Sequence, residues 1–436
     1  MSAVYSNLTS THDLKPLIFG AVARVIDRHP ALSTVFMEAN EGCKDPYYAQ
    51  LSHIDLQDCT VFETWKWEDE ESAAADEQRD KLLERYHNTR FDERWGELPL
   101  WRLVILQEPS DQSRFVACFV WQHTIGDGHT GPSFHHSFQA ELSALSVNPV
   151  GVKDLENIVR PPKAAIPPSL ESLHKLPLSP LYLLKMAWQD KFPNKSQAVW
   201  LGGPVTEPTR SRFRSFSLTT DTTSSLLAVC RAHSVTMTAV IHALIALATF
   251  SNLPPNKTRL KSSIAINLRR WISSDALKED DMGNYVSTTY LDSKRPESME
   301  GISWGEALRI KKLLDNEVKL GGKNASTGCL RWVDDMHKYF ASKTGQPRDA
   351  TFCLTNLGVF HPKNKDDANP PWSTEKMVFS EGFDAAREAM DVTMITGEDG
   401  RLTLGLIWGD GVVEEKLMLD IFDKLKNLVV ATASQP

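Results

Sequence analysis

Phe119-Val120-Trp121-Gln122-His123-Thr124-Ile125-Gly126-Asp127-Gly128-His129-Thr130-Gly131 carries an apolar run into a polar, glycine-rich turn. The run reads as a strand ending at His123, and a helix is expected over about 132–146, stopping before Asn148-Pro149. A side chain displayed where a strand gives way to a turn rests on a rigid base and still reaches solvent. His123 is such a side chain. An imidazole there can take a proton from an alcohol at neutral pH and pass it to a leaving group. Asp127, four residues on, can either contact the ring or pair with an arginine and hold the loop in shape. Gly128 lets the backbone turn and come close to a substrate.

The same stretch admits other readings. Gly126-Asp127-Gly128-His129-Thr130-Gly131 fits GxGxxG, the dinucleotide fingerprint, between a strand and a helix. Pro132 directly after the last glycine, and the lack of regular strand–helix alternation around it, argue against a nicotinamide-binding oxidoreductase. His123, Asp127 and His129, with His135-His136 nearby, could supply metal ligands, but the HxD spacing of a facial triad is absent here. The one HxD, His53-Ile54-Asp55, lies far away without a strand-end context. No metal is expected. The blandest reading makes His123 a cap on a strand end.

Outward from this stretch, Trp101 to Gln107 reads as a strand paired with Phe115 to Gln122 through the turn PSDQS. Residues 14–28 read as a helix with Leu14, Ile18, Val22, Val25 and Ile26 on one face, ended by His29-Pro30. Residues 74–88 form a charged helix. The proline-rich region around 160–210 reads as a crossover, and Leu181 to Trp188 within it as a short helix packed on the junction, with a membrane-surface or substrate-channel contact as the alternative. Beyond it come a strand at 212–218, a helix at 221–232, and an all-round apolar helix at 238–250 that must be buried, with His242 a satisfied core histidine. Further strands fall at 262–268, 285–291, 350–354, 376–380, 391–396 and 402–408, the last two joined by the turn Glu398-Asp399-Gly400. A helix covers 306–316, and an amphipathic helix ends the chain. The expected boundaries are an N-terminal unit over 1–160, a crossover over 161–210 and a C-terminal unit over 211–436. Mixed helices and strands in both halves make the class α/β or α+β, of which α/β is taken.

Composition narrows the function. The chain has 436 residues and a net charge of −8, with no basic run interleaved with aromatics, so nucleic acid is not an expected partner. Any anionic cosubstrate would need locally placed basic residues. The first residues lack an apolar stretch typical of a secretory signal, and no run of 18 apolar residues occurs. A cytoplasmic protein without integral membrane association is expected. The six cysteines, Cys43, Cys59, Cys118, Cys230, Cys329 and Cys353, form no CxxC pair and read as reduced thiols. Asn7-Leu8-Thr9 and Asn194-Lys195-Ser196 read as chance matches to the glycosylation pattern.

His123-Thr124-Ile125-Gly126-Asp127-Gly128 after an apolar strand resembles the HxxxDG motif of an acyltransferase superfamily. That superfamily includes chloramphenicol acetyltransferase, plant acyl-CoA alcohol acyltransferases and peptide-synthetase condensation domains. Ala265-Ile266-Asn267-Leu268-Arg269-Arg270, followed by Gly283-Asn284-Tyr285, resembles its second-half signature. The helix at 14–28 ending in His29-Pro30-Ala31-Leu32 is similar to its first helix. The best match is the fungal alcohol acetyltransferase-like branch. The resemblance implies two chloramphenicol-acetyltransferase-like subdomains, each a mixed sheet with flanking helices, around a central tunnel. It implies His123 as general base and direct acyl transfer from acetyl-CoA or another acyl-CoA to a small apolar alcohol or secondary metabolite, with no permanently bound cofactor. It assigns a structural role to Asp127, paired with Arg269, and to Gly128. Gln122, Gly126, Gly283, Asn284, Tyr285 and Asn356 become substrate or tunnel candidates. The protein is expected to be a monomer. An amine acceptor, a carrier-protein-bound donor, and a condensation-like or non-catalytic use of the tunnel stay open. Gln122 stands where condensation domains carry a second histidine, and TNLGVF stands where the plant enzymes carry DFGWG. The chain is also read as lacking the family's strand before the first helix, which would leave a sheet edge open.

Overall fold

The computed structural model describes all residues except 8–12, 39–45, 68–71, 92–93, 149–156, 192–196, 207–208, 273–274, 276, 362–369 and 436. Cys43 and most of both glycosylation-like triplets lie outside the described residues. The first half runs β1 (Ser2–Ser6), α1 (Leu14–Arg28), β2 (Thr34–Met37), β3 (Tyr47–Gln50), β4 (Ile54–Asp55), α2 (Leu56–Cys59), β5 (Thr60–Thr64), α3 (Ala73–His87), β6 (Trp101–Gln107), β7 (Arg114–Trp121), α4 (Thr130–Val147) and β8 (Ile158–Val159). The proline-rich stretch holds α5 (Leu170–Leu173) and α6 (Pro180–Lys191). The second half runs β9 (Ser211–Ser217), α7 (Thr220–Ala232), α8 (Met237–Asn252), β10 (Arg259–Asn267), β11 (Val286–Lys294), α9 (Trp304–Leu320), α10 (Met336–Lys343), β12 (Phe352–Val359), β13 (Ser373–Val378), β14 (Met390–Thr396), β15 (Leu402–Gly409) and α11 (Glu415–Ala433).

Two mixed sheets organise the chain. One has the order β13-β1-β7-β6-β5 and the other β11-β10-β12-β14-β15-β9. β13, although it lies in the second half of the chain, pairs antiparallel with β1 and so completes the first sheet. The strand read as missing is therefore present. β1 was not legible because it is five residues long, begins and ends with serine, and buries Ala3, Val4 and Tyr5 on both faces, which removes any alternation. It fills the space between β7 and β13, so no edge is left open there.

The period-2 geometry of β7 sorts its side chains into two cores. Phe115, Ala117 and Phe119 face the layer of α1 and α4, where Phe119 stacks on Phe134 with centroids 3.9 Å apart. Val116 and Cys118 face the other way, against Leu82 and Leu83 of α3 and Phe213 and Ile407 of the second sheet. Each fully buried phenylalanine contributes about 2–3 kcal/mol by leaving water. The second sheet packs on α8, whose residues Ala239 to Phe250 are all buried, and on α11. His242 is a buried core histidine there, but only half satisfied: Nε2 lies 2.7 Å from Ser262 Oγ, while Nδ1 is buried without a hydrogen-bond partner among the described residues.

α3 straps the halves together. Asp80 accepts hydrogen bonds from the Ser215 amide at 2.7 Å and hydroxyl at 2.6 Å, and Glu84 accepts one from the Phe213 amide at 3.3 Å. The helix at 181–188 forms, but it does not pack its apolar face on the junction. Leu181, Leu184 and Trp188 are 78%, 69% and 67% exposed. Their i, i+3, i+7 spacing places them on one stripe, which here faces outward. Among the described residues, no single helix is long and apolar enough to cross a membrane.

Candidate active site

β7 delivers the motif. Its ladder closes with the Gln122 amide donating to Leu100 O at 2.9 Å, after which His123–Ile125 form one turn of 3-10 helix. Gln122 caps that turn, its side chain accepting from the Thr124 amide at 3.0 Å. The Trp121 indole donates to Gly126 O at 2.9 Å, tying the turn back to the strand. Glycine is required at 126 because a Cβ there would collide with the Thr130 side chain. At 128 a Cβ would sit 3.1 Å from Leu357 and 3.3 Å from Phe379, so the turn lies hard against a wall supplied by the second half.

The Asp127 carboxylate is fully engaged, and not with His123. One oxygen accepts from Arg269 Nη1 and from the Tyr285 amide, both at 2.8 Å, and the other accepts from the His129 amide at 3.0 Å. The Asp127 amide donates to Gly283 O at 3.1 Å. Arg269 Nη2 donates to Gly283 O at 2.9 Å and Asp281 O at 3.2 Å, and its guanidinium lies 4.8 Å from the centre of the Tyr285 ring. Two backbone amides and one guanidinium on a buried carboxylate, with the Asp127 amide itself bonded to Gly283 O, are enough to hold the loop rigid.

This clamp brings Asn284 to His123. Asn284 Nδ2 lies 3.1 Å from His123 Nδ1 and 3.2 Å from the His123 carbonyl oxygen. Nε2 makes no hydrogen bond among the described residues. His123 is exposed into a cavity of about 860 Å³ lined from both halves of the chain, a size that suits a small-molecule site.

Gln122, His123, Asp127, Gly128, Gly283, Asn284 and Tyr285 line this cavity. Gly126 and Arg269 stand behind the wall. Asn356 does not reach it, since its amide donates to Thr238 Oγ1 at 2.8 Å and accepts from the Gly358 amide at 2.8 Å, while its neighbour Thr355 lines the space. The other histidines near the motif are occupied elsewhere. His129 Nε2 is 3.0 Å from Glu279 O, His135 Nδ1 is 2.9 Å from the Tyr5 hydroxyl, and His136 stacks on Phe360. Among the described residues no three His, Cys, Asp or Glu side chains form a metal-ligating group.

Sequence reasoning missed Tyr48, His87, Ser380 and Arg387, which also line the cavity. His87 is the last residue of α3, where a basic residue ordinarily reads as helix-end electrostatics. Burial pushes it down to about 3, so it stays neutral.

The comparisons agree with this fold. The alcohol acetyltransferase family model matches residues 3–426. A probable alcohol acetyltransferase, crmB, of Aspergillus fumigatus is 30% identical over 95% of this chain and 90% of its own length. A second, FCK4 of Fusarium pseudograminearum, is 22% identical over 93% of this chain and 84% of its own. In fold, the TRI3 trichothecene 15-O-acetyltransferase of Fusarium sporotrichioides superposes with a TM-score of 0.68 at 14% identity, covering 99% of this chain and 90% of that one. The first condensation domain of the CDA synthetase gives 0.65 at 12% identity, covering 100% and 90%. A matching two-sheet fold is thus joined to a family match over nearly the whole sequence, and the chain belongs to the alcohol acetyltransferase family.

Proposed function

We propose that this acyltransferase moves an acetyl group from acetyl-CoA to the hydroxyl of a small, mostly apolar alcohol, with His123 as the general base. The observation that carries this reading is an imidazole open to a cavity, with Nε2 unbonded and with a rigid loop behind it. Nε2 takes the proton of the acceptor hydroxyl as its oxygen attacks the thioester carbonyl. The tetrahedral intermediate collapses with loss of the thiolate, which recovers the proton from the same nitrogen. Ester and free thiol leave, and the base is regenerated.

Asn284 controls which nitrogen is free. With Nδ2 donating to Nδ1, the neutral ring carries its proton on Nε2 and cannot take another there; the imidazolium that protonates the thiolate carries a proton on both nitrogens. With the carboxamide turned end for end, Oδ1 accepts an Nδ1–H and leaves the Nε2 lone pair available for the hydroxyl. The half-apolar cavity wall, with Ile125, Met282, Leu170 and Phe379, suits an apolar acceptor body.

The test is incubation with acetyl-CoA labelled in the acetyl group and a panel of aliphatic and aromatic alcohols. The reading expects labelled ester, stoichiometric free thiol and no label retained on the denatured protein. Label bound covalently to the chain would contradict direct transfer. Absence of ester from every acceptor would contradict the reading as a whole.

A further inference from the structure

The cavity carries a second histidine, and it is paired with a hydroxyl. His87 Nε2 lies 2.7 Å from Ser380 Oγ, and both residues line the same space as His123. They come from opposite halves of the chain: His87 ends α3, and Ser380 follows β13 by two residues. Ser380 is also one residue from Phe379, whose ring lies against Gly128 of the motif turn.

Both bearing segments are pinned. Asn88, next to His87, donates to Ser211 O at 3.0 Å and accepts from the Ser211 amide at 2.8 Å. The Phe383 amide donates to Ser211 Oγ at 3.0 Å, and Thr393 Oγ1 donates to Phe379 O at 2.7 Å. Side chains held on such supports offer a fixed target to a ligand.

The pair is incompletely satisfied. Among the described residues neither the His87 ring nor the Ser380 hydroxyl makes any other hydrogen bond, and the ring is only half-buried where it lines the cavity. If Oγ–H donates to Nε2, the ring offers an Nδ1–H donor and the hydroxyl its lone pairs. If Nε2–H donates to Oγ, the ring offers an Nδ1 acceptor and the hydroxyl its proton. Either way one donor and one acceptor remain, which a single hydroxyl group completes. The pair bears no charge, and on the same wall the two carboxylates Glu381 and Asp384 outnumber the one guanidinium, Arg387, so an anion is not favoured.

We propose that His87 and Ser380 form a subsite for a second, uncharged oxygen of the acceptor, so that the fitting acceptors are diols and other hydroxylated skeletons. That the bound molecule is the acceptor rests on the acyl-transfer reading; the existence of the subsite does not. An acceptor lacking this oxygen leaves the pair unmatched in a confined space, whereas the hydroxylated one satisfies it.

The experiment compares α,ω-alkanediols, from hexanediol to dodecanediol, with the matching 1-alkanols on the full chain. Calorimetric affinity and acetyl transfer are both read. At the chain lengths that span the two sites the diol should bind roughly tenfold more tightly, and Ser380→Ala and His87→Phe should each bring the ratio near one. Equal affinities at every length, or a preference that survives both substitutions, overturn the proposal. A diol preference in a protein that acetylates neither compound contradicts the acyl-transfer reading and supports the subsite. Acetylation of both with no preference in binding does the reverse.

Discussion

Arg269 Nη1 meets Asp127 Oδ2 at 2.8 Å, with the two side chains 5% and 4% exposed, although the residues are 142 apart in the chain. This contact binds the motif loop of the first half to the Gly283–Tyr285 segment of the second. Removing one partner strands the other in low dielectric, which costs about 3–5 kcal/mol. Asp127→Ala and Arg269→Ala should each lower the unfolding free energy measured by chemical denaturation by that much and reduce turnover. The double variant should lose less than the sum, because the second substitution removes an already stranded charge. Additive losses in the double-mutant cycle would contradict the pairing.

Much of this was legible in the sequence, for physical reasons that differ by element. α8 could be read because a helix apolar on every face has nowhere to go but a core. The β6–β7 pair could be read because each strand is a long apolar run bounded by turn residues. His123, Asp127 and Gly128 lie within six residues of one another in the chain, so their relation is local. β1 was hidden by its length and its serines. The His87–Ser380 pair was hidden because its members are 293 residues apart and each alone looks like ordinary surface polarity. α6 was read correctly as a helix but not in its surroundings, since periodicity gives a face and not what that face meets.

Stability should fall on the acid side. Burial lowers His87 and His135 to about 3 and His242 to about 4, below the unfolded value near 6.5. Groups depressed in this way favour the folded state above pH 6.5, and that contribution is lost as pH falls from there toward 4, because the unfolded chain binds the protons first. Asp80, raised by burial to about 7, acts in the opposite sense over roughly the same window. Asp391, which burial also holds well above the usual carboxylate range, acts with Asp80, so three strongly depressed histidines stand against two aspartates and leave a net loss. Thermal melts from pH 7 to 4 should show a falling midpoint, and His242→Gln should flatten the slope. A rising midpoint would contradict the burial of these rings.

Gly126→Ala drives a methyl group into Thr130 and should cost about 1–3 kcal/mol. Thr130→Ala in the same chain should recover only part of the loss, because the Cβ of residue 130 itself lies 2.7 Å from the new atom. Chemical denaturation of the three variants checks this. Full recovery would mean that the methyl and hydroxyl of Thr130 were the whole obstruction.

The outward stripe of α6 predicts insensitivity. Leu184→Glu and Trp188→Glu should change unfolding free energy by no more than about 0.5 kcal/mol, as expected for exposed positions. A loss of several kcal/mol in the isolated protein would show that these side chains pack against the chain after all.

Asn284 should show itself in the pH dependence. Asn284→Asp places a permanent acceptor beside Nδ1 and so fixes the proton there, which frees Nε2 as a base. The acid limb of kcat/KM should move to higher pH, with the fold unchanged by circular dichroism. Asn284→Ala removes the orienting contact and should lower kcat by about tenfold to a hundredfold, with less effect on KM. A pH–rate profile identical to wild type in both variants would remove Asn284 from the account of the base.

The most direct measurement is single-turnover acetyl transfer by His123→Ala against the unaltered protein, using an alcohol that the latter acetylates, with acetyl-CoA saturating both. Loss of the general base should lower the rate by about a hundredfold to ten-thousandfold, while the melting midpoint stays within a few degrees because the ring is exposed. A transfer rate within tenfold of the unaltered protein would contradict His123 as the proton-transferring group.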